Sequence, residues 1–442
     1  MGPVVDSVDP ESFFPQSVDV VVIGGGIVGV STAFSLAERG ISVALCEKGH
    51  IAGEQSSRNW GWVRKTGRDQ REMPLIIESL RLWEGLDRKI ASDTGFTAAG
   101  ILYVAEDEAT ERSHTAWLGR AEPYQMGVRQ ISGNELANLL PGATRRFRSA
   151  LYCPTDGRAE PQKAAPAIAR AARALGAAIL PQCAVRGIEQ TAGRVSGVVT
   201  EHGRIACNAV VLAGGAWTRL FCGSLGLTLP QLKVLSSVMR TAPMAGTPEP
   251  AAWTESFAFR RRQDGGYTIA DGHGTAVPLV PDTFRFALKF LPALKAEWNG
   301  LRLRLDDRFM TELRQPKQWA LDAPSPFEKT RVLDPTPDVA RLHKVKDRLV
   351  KTFPSFAGVK IEQCWAGLID VTPDAVPVIS TVDRLPGLVI ATGFSGHGFG
   401  IGPGAGRLAA DLATGARPFV DPTAFRFSRF HDGSPIIVEA GL

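Results

Sequence analysis

Asp19-Val20-Val21-Val22-Ile23-Gly24-Gly25-Gly26-Ile27-Val28-Gly29 is the stretch that decides the fold of this chain. Four β-branched residues in a row read as a strand buried on both faces, the pattern of a parallel sheet. Gly24 to Gly29 matches G-x-G-x-x-G, helix formers follow from Ser31 to Arg39, and Gly40 stops them. Ile41 to Leu45 reads as a second strand, and Glu47 comes 18 residues after Gly29, where an acid can hydrogen-bond a ribose hydroxyl. The glycines permit a tight turn and bring a pyrophosphate against a helix N-terminus, where unpaired N–H groups and the dipole favour anions. The glycine motif alone is a weak signal, but strand, glycines, helix, strand and acid in register are specific. A turn serving only helix packing would leave Glu47 unexplained. The reading is a dinucleotide site in an α/β chain.

The same pattern returns further along. Gly53 to Arg64 places Ser56, Ser57, Gly61, Trp60 and Trp62 directly after the second strand, as in a chain running along a cofactor toward an aromatic ring system. A polar loop with surface tryptophans is the bland alternative. Gln162 to Leu175 has helical spacing closed by Gly176, and four short strands are expected between 177 and 208. Ala209 to Ala213 is a buried strand followed by Gly214-Gly215, a second glycine turn where a doubly wound sheet touches its ligand. Leu388 to Thr392 is another, followed by seven glycines between Gly393 and Gly406 and a helix expected from about Arg407 to Thr414. Held between strand and helix, this glycine stretch reads as a surface of free N–H groups able to stabilise negative charge on a reduced ring, rather than as a flexible loop. Between 235 and 365 prolines are frequent and strands short, which reads as an α+β region on an antiparallel sheet, with a helix at Val339 to Thr352.

Composition narrows the class. The 442 residues are 44% hydrophobic and 21% charged, and 46 glycines are a surplus without low complexity. Disordered, collagen-like and disulfide-framework chains are excluded. A dispersed net charge of +5 argues against a nucleic-acid partner. The six cysteines show no C-x-x-C pair and no clustered histidines, so no metal site is expected, and reduced thiols favour a cytoplasmic location. The acidic start lacks a signal-peptide pattern. Val18 to Ala37 is apolar but carries four glycines, so no transmembrane segment is expected.

Together these pieces resemble the D-amino-acid-oxidase-like family of FAD enzymes, which includes glycine oxidase, sarcosine oxidase and D-amino acid dehydrogenases. The resemblance rests on Gly24 to Gly29 with Glu47-Lys48, Ser56 to Arg64, Val210 to Trp217, and Trp365 to Ile379 with Gly396 to Gly406. It implies a Rossmann-like FAD-binding domain from residues 17–81, 150–234 and 362–420. A substrate-binding domain of 82–149 and 235–361 is interleaved with it, after an extension of 1–16. Carried over by position, Gly24, Gly26, Ile27, Val28, Gly29 and Gly214 would cradle the cofactor. Glu47 with Lys48 would hold the ribose, and Val185 would contact adenine. Ser56, Ser57, Gly61 and Trp62 would follow the pyrophosphate and flavin, and Gly398, Phe399, Gly400 and Ile401 would offer amides to the ring. The implied reaction is hydride transfer from a C–N bond of an amine or amino acid to FAD, giving an imine that water hydrolyses. No acid–base pair is required by that mechanism. O2 or another electron acceptor would reoxidise the flavin, and a homo-oligomer is left open.

The departures concern the substrate. Many relatives carry Arg-Pro where this chain has Ile369-Asp370, and that arginine grips a carboxylate. Three readings stay open: Arg64 substitutes for it, Asp370 faces the cation of an amine or N-substituted substrate, or Asp370 is a solvated or capping acid. The place of a flavin-linking cysteine is taken near Gly367, so non-covalent FAD is expected. Gly400 stands where relatives have a lysine, leaving His397 as the nearest titratable side chain. Trp60, Trp62 and Tyr267 are expected to form an aromatic wall. A flavin monooxygenase and a flavin-binding subunit of a larger dehydrogenase complex are the alternatives.

Overall fold

The computed structural model describes residues 1–11, 13–245, 248–273 and 275–439. A six-stranded sheet runs in the order Val378–Thr381, Leu388–Thr392, Ala209–Leu212, Val20–Ile23, Val43–Cys46, Ala178–Leu180. All neighbours are parallel except the edge pair Val378–Thr381 and Leu388–Thr392. The unbroken apolar runs have a reason: both faces of this sheet are covered. Val20 and Val22 face the helices Ile27–Ala37 and Gly398–Thr414, whereas Val21 and Ile23 face Ile188, Val198 and Ile205 of a three-stranded antiparallel meander.

The second sheet has ten strands and gathers residues 101–153 and 232–371. It is mainly antiparallel, but Ala251–Trp253 pairs in parallel with Ile101–Ala105, and Thr275–Pro278 with Leu301–Arg304. The antiparallel sheet expected from the short strands is present, with these two parallel pairs set into it. Strands Ser149–Cys153 and Ile361–Val371, which the expected boundaries at 149/150 and 361/362 place almost wholly in the nucleotide-binding pieces, pair into this sheet. Helix Val339–Thr352 packs its Leu342, Val345 and Leu349 onto the far face of the sheet with Phe257, Phe259 and Phe353. The near face turns toward the six-stranded sheet.

The helix expected at Arg407 begins at Gly398. Its internal glycines are packing positions. A Cβ on Gly402 or Gly406 would lie 2.7 Å from Ile27 and 2.5 Å from Ser31, and one on Gly404 would lie 2.9 Å from Ser79. Pro403 interrupts the helix ladder, and side chains repair it. The Gly400 carbonyl accepts from Trp83 Nε1 at 2.8 Å and Ser79 Oγ at 2.9 Å, while Gly404 N–H donates to Ser79 Oγ at 3.1 Å.

Candidate functional site

One cleft of about 560 Å³ runs along the C-terminal ends of the central parallel strands and out between the two sheets. Gly24, Gly26, Ile27 and Val28 line it where the first strand meets its helix. Gly24 sits at φ +110°, and a Cβ there would lie 2.4 Å from the Ala213 carbonyl oxygen, so only glycine fits. Gly29 does not reach the cleft; a Cβ there would strike the Gly24 oxygen, so the third glycine of the motif serves close helix packing. Glu47 accepts N–H bonds from Gly25 and Gly49, each at 2.7 Å, which fixes the turn at the end of the second strand. Burial raises the Glu47 carboxyl above the usual range, against the opposing pull of Lys48. Ser56 Oγ accepts from Ile27 N–H at 2.8 Å, at the helix N-terminus. Lys48, Val185 and Gly214 also line this end.

At the other end the turn Gly393–His397 leads into helix Gly398–Thr414, and Gly398, Phe399 and Gly400 present its first turn to the cleft. N–H groups in a first turn have no carbonyl partner behind them. Ile401 is fully buried in the core and does not line the cleft. Ser57 and Gly61 are also outside it. The Ser57 hydroxyl turns back to the Glu54 carbonyl, and Gly61 abuts the Ala159 carbonyl and Arg260.

The aromatic wall is built differently from the expectation. Trp60 and Trp62 meet edge to face at 5.3 Å, and the ladder continues through Tyr103 to Trp253, all four lining the cleft. Tyr267 is on the opposite face of its strand, packed on Phe259 and Phe356, with its hydroxyl donating to the Pro248 carbonyl at 2.6 Å. In Tyr267–Ala270 every residue is buried, so composition gives no hint of which face meets the cleft. Tyr103 and Trp253, missed by the sequence reading, occupy alternating strand positions that are equally silent.

Asp370 receives another task from either of those foreseen. It is 2% exposed, and its Oδ2 accepts from Gly393 N–H at 2.7 Å, Gln231 Nε2 at 2.8 Å and Thr392 Oγ1 at 3.0 Å. It ties the long strand of the second sheet to the turn before the C-terminal helix. Burial raises its carboxyl, opposed by the Gly393 and Thr392 bonds. Arg64, by contrast, lies half-buried on the cleft, its guanidinium over the Tyr103 ring at 5.2 Å and bonded to the Thr66 carbonyl. Among the described residues no carboxylate lies within 4 Å of it. Behind it, Arg68 and Glu72 are buried, and His397 Nδ1 comes within 3.3 Å of Glu72 Oε2.

Comparison with known proteins fits this layout. The family model described as FAD dependent oxidoreductase matches residues 19–412. The chain belongs to that FAD-dependent oxidoreductase family. Glycine oxidase of Pseudomonas putida is 25% identical over 421 residues, covering 93% of this chain and 98% of its own. The structure of L-amino acid deaminase from Proteus myxofaciens in complex with anthranilate is 36% identical with a TM-score of 0.93, covering 97% of this chain and 96% of that one. The corresponding Proteus vulgaris enzyme is 33% identical with a TM-score of 0.92, covering 97% and 100%.

The cofactor of this family member is FAD. The residues present fit it. The glycine cradle at Gly24 and Gly26, Glu47 beyond it, and the first turn of Gly398–Thr414 line one continuous cleft. Trp62 Nε1 is buried beside that cleft and has no hydrogen-bond partner among the described residues. Among the described residues no helix is long and apolar enough to cross a membrane.

Proposed function

We propose that this enzyme oxidises the C–N bond of an α-amino acid with a bulky apolar side chain. Bound FAD supplies the hydride acceptor, and water hydrolyses the imine product. The observation that carries the substrate class is Arg64, a cleft-lining cation without a carboxylate partner within 4 Å among the described residues. A substrate carboxylate supplies that partner in a charge-assisted pair. With Asp370 held by three protein donors, a role facing the substrate cation loses its support. Trp60, Trp62, Tyr103 and Trp253 offer the apolar wall against which the side chain lies. The likeness to L-amino acid deaminases at above 30% identity supports the same class.

FAD is held without a covalent link in this reading. Of the six cysteines only Cys46 lines the cleft, at the Glu47 end, and Cys364 is half-buried outside it. Six free thiols also support a reducing, cytoplasmic compartment.

The substrate class is tested by Arg64→Met. Removing one charge-assisted contact costs about 1.5–3 kcal/mol, so KM for an amino acid rises about 10- to 100-fold. KM for the corresponding amine without a carboxylate stays where it was. Equal kinetics of variant and parent on the amino acid would overturn the assignment.

A further inference from the structure

Beneath the ring end of the cleft lies a buried charged group that the amine-oxidation scheme leaves unused. Glu72 is 0% exposed, with neither oxygen in a formed hydrogen bond among the described residues. Its nearest polar neighbours are His397 Nδ1 at 3.3 Å and Arg68 Nη1 at 3.8 Å. An ionised carboxylate so deeply buried is costly unless cations and donors surround it. Arg68 is itself only 2% exposed and donates to the backbone carbonyls of Arg64 and His397 at 3.3 and 3.4 Å. The group is thus clamped to both the Arg64 loop and the residue preceding the C-terminal helix.

His397 caps that helix and lines the cleft with Nδ1 buried toward Glu72. Its Nε2 has no hydrogen bond among the described residues. We propose that Glu72, placed by Arg68, is a positioning residue that holds His397 as the neutral Nδ1–H tautomer, so that bare Nε2 takes the proton from the substrate's ammonium group. The need is chemical. An ammonium nitrogen has no lone pair, and a C–N bond cannot gain double-bond character as a hydride leaves carbon until that pair is freed. In the step, one N–H bond of the ammonium breaks and Nε2–H forms. The freed pair stays on the substrate nitrogen. The resulting imidazolium shares its Nδ1 proton with Glu72.

The surroundings set the charge states this requires. Burial first, then Arg68 and Arg64, push His397 down to about 4, so the resting ring is neutral at pH 7, and the raising pull of Glu72 is what favours the imidazolium when Nε2 takes a proton. Burial opposes ionisation of Glu72, but His397, Arg68 and Arg64 together hold its carboxyl below the usual range.

This inference rests on the proposed amine oxidation, and its test separates the two. FAD-loaded enzyme is mixed anaerobically with an amino acid that reduces it, across a pH series. His397→Asn should slow flavin reduction about 10²- to 10⁴-fold at neutral pH. Its rate should return toward that of the parent as pH rises through the substrate's own ammonium pKa. Glu72→Gln should lose less and move the acid limb of the profile to lower pH. A His397→Asn loss equal at every pH, or no loss, overturns the base. A Glu72→Gln profile superimposed on the parent overturns the positioning residue. In parent enzyme labelled with 15N-histidine, His397 should be protonated at Nδ1 and bare at Nε2. The opposite tautomer overturns the pairing, even if Glu72→Gln fails to fold. Parent enzyme reduced by no amino acid would instead sink the proposed function, leaving the tautomer measurement to judge the pairing.

Discussion

Single side chains here divide into those whose role follows from type and position and those whose role depends on what folds against them. The place of Glu47 on the cleft was legible, because its distance from the glycine motif is fixed by a βαβ unit. Asp370 was not, because the three donors on its carboxylate come from Gln231, Thr392 and Gly393, far apart in sequence. Asp370→Ala leaves the buried Gly393 N–H without its acceptor, while Gln231 and Thr392 keep only each other and the Gly215 carbonyl, at a cost of about 1–3 kcal/mol. Urea unfolding should show that loss, while KM for the substrate barely moves. A raised KM with unchanged stability would return Asp370 to the substrate. His114 gives a second prediction at this scale. It is fully buried, neither ring nitrogen has a partner among the described residues, and burial pushes it down to about 4. The unfolded chain takes up the proton first, so this residue removes stability as pH falls from about 6.5 toward 4. His114→Phe should therefore stabilise the protein by about 2 kcal/mol more at pH 5 than at pH 8. Equal shifts at the two pH values would contradict a buried neutral histidine.

At the scale of elements, the glycine-rich segment was legible as a stretch that reaches the cleft but not as a helix. Glycine is a poor helix former, and seven in fourteen residues read as a turn. Packing overrides propensity: Gly402 and Gly406 let the helix approach Ile27–Ala37, and Gly404 lets it approach Met73–Ile90. Its first turn is thereby set beside the cleft. Gly406→Ala puts a Cβ 2.5 Å from that of Ser31. The helix must shift, costing about 1–3 kcal/mol. FAD affinity should fall with stability, as fluorescence titration of apoprotein would show; unchanged affinity would detach the helix from the cofactor. The register of Tyr267 was illegible for another reason. A strand buried on both faces carries no alternation that says which face meets the site.

Across the whole molecule, the doubly wound sheet was legible in its buried runs and glycine turns, whereas the mixed pairing of the larger sheet was not. Parallel pairs such as Ala251–Trp253 with Ile101–Ala105 join segments about 150 residues apart, and short strands do not announce such partners. The two sheets are fastened near the cleft. Trp365 Nε1 donates to the Arg58 carbonyl at 3.0 Å, and Arg58 Nη1 donates to the Ala366 carbonyl at 2.8 Å. A cofactor lying along that seam stabilises the fold by mass action, about 2.7 kcal/mol at a hundredfold excess over Kd. Tm should accordingly climb with FAD concentration, and a flat response would argue against the cleft as its site. The proposed reaction is oxidation of an amino acid at this cleft. The measurement that tests it most directly is anaerobic mixing of the yellow enzyme with a bulky apolar amino acid, its decarboxylated amine and NADPH in parallel. The amino acid should bleach the flavin rapidly, the amine much more slowly, and NADPH not at all. Bleaching by NADPH alone would contradict it.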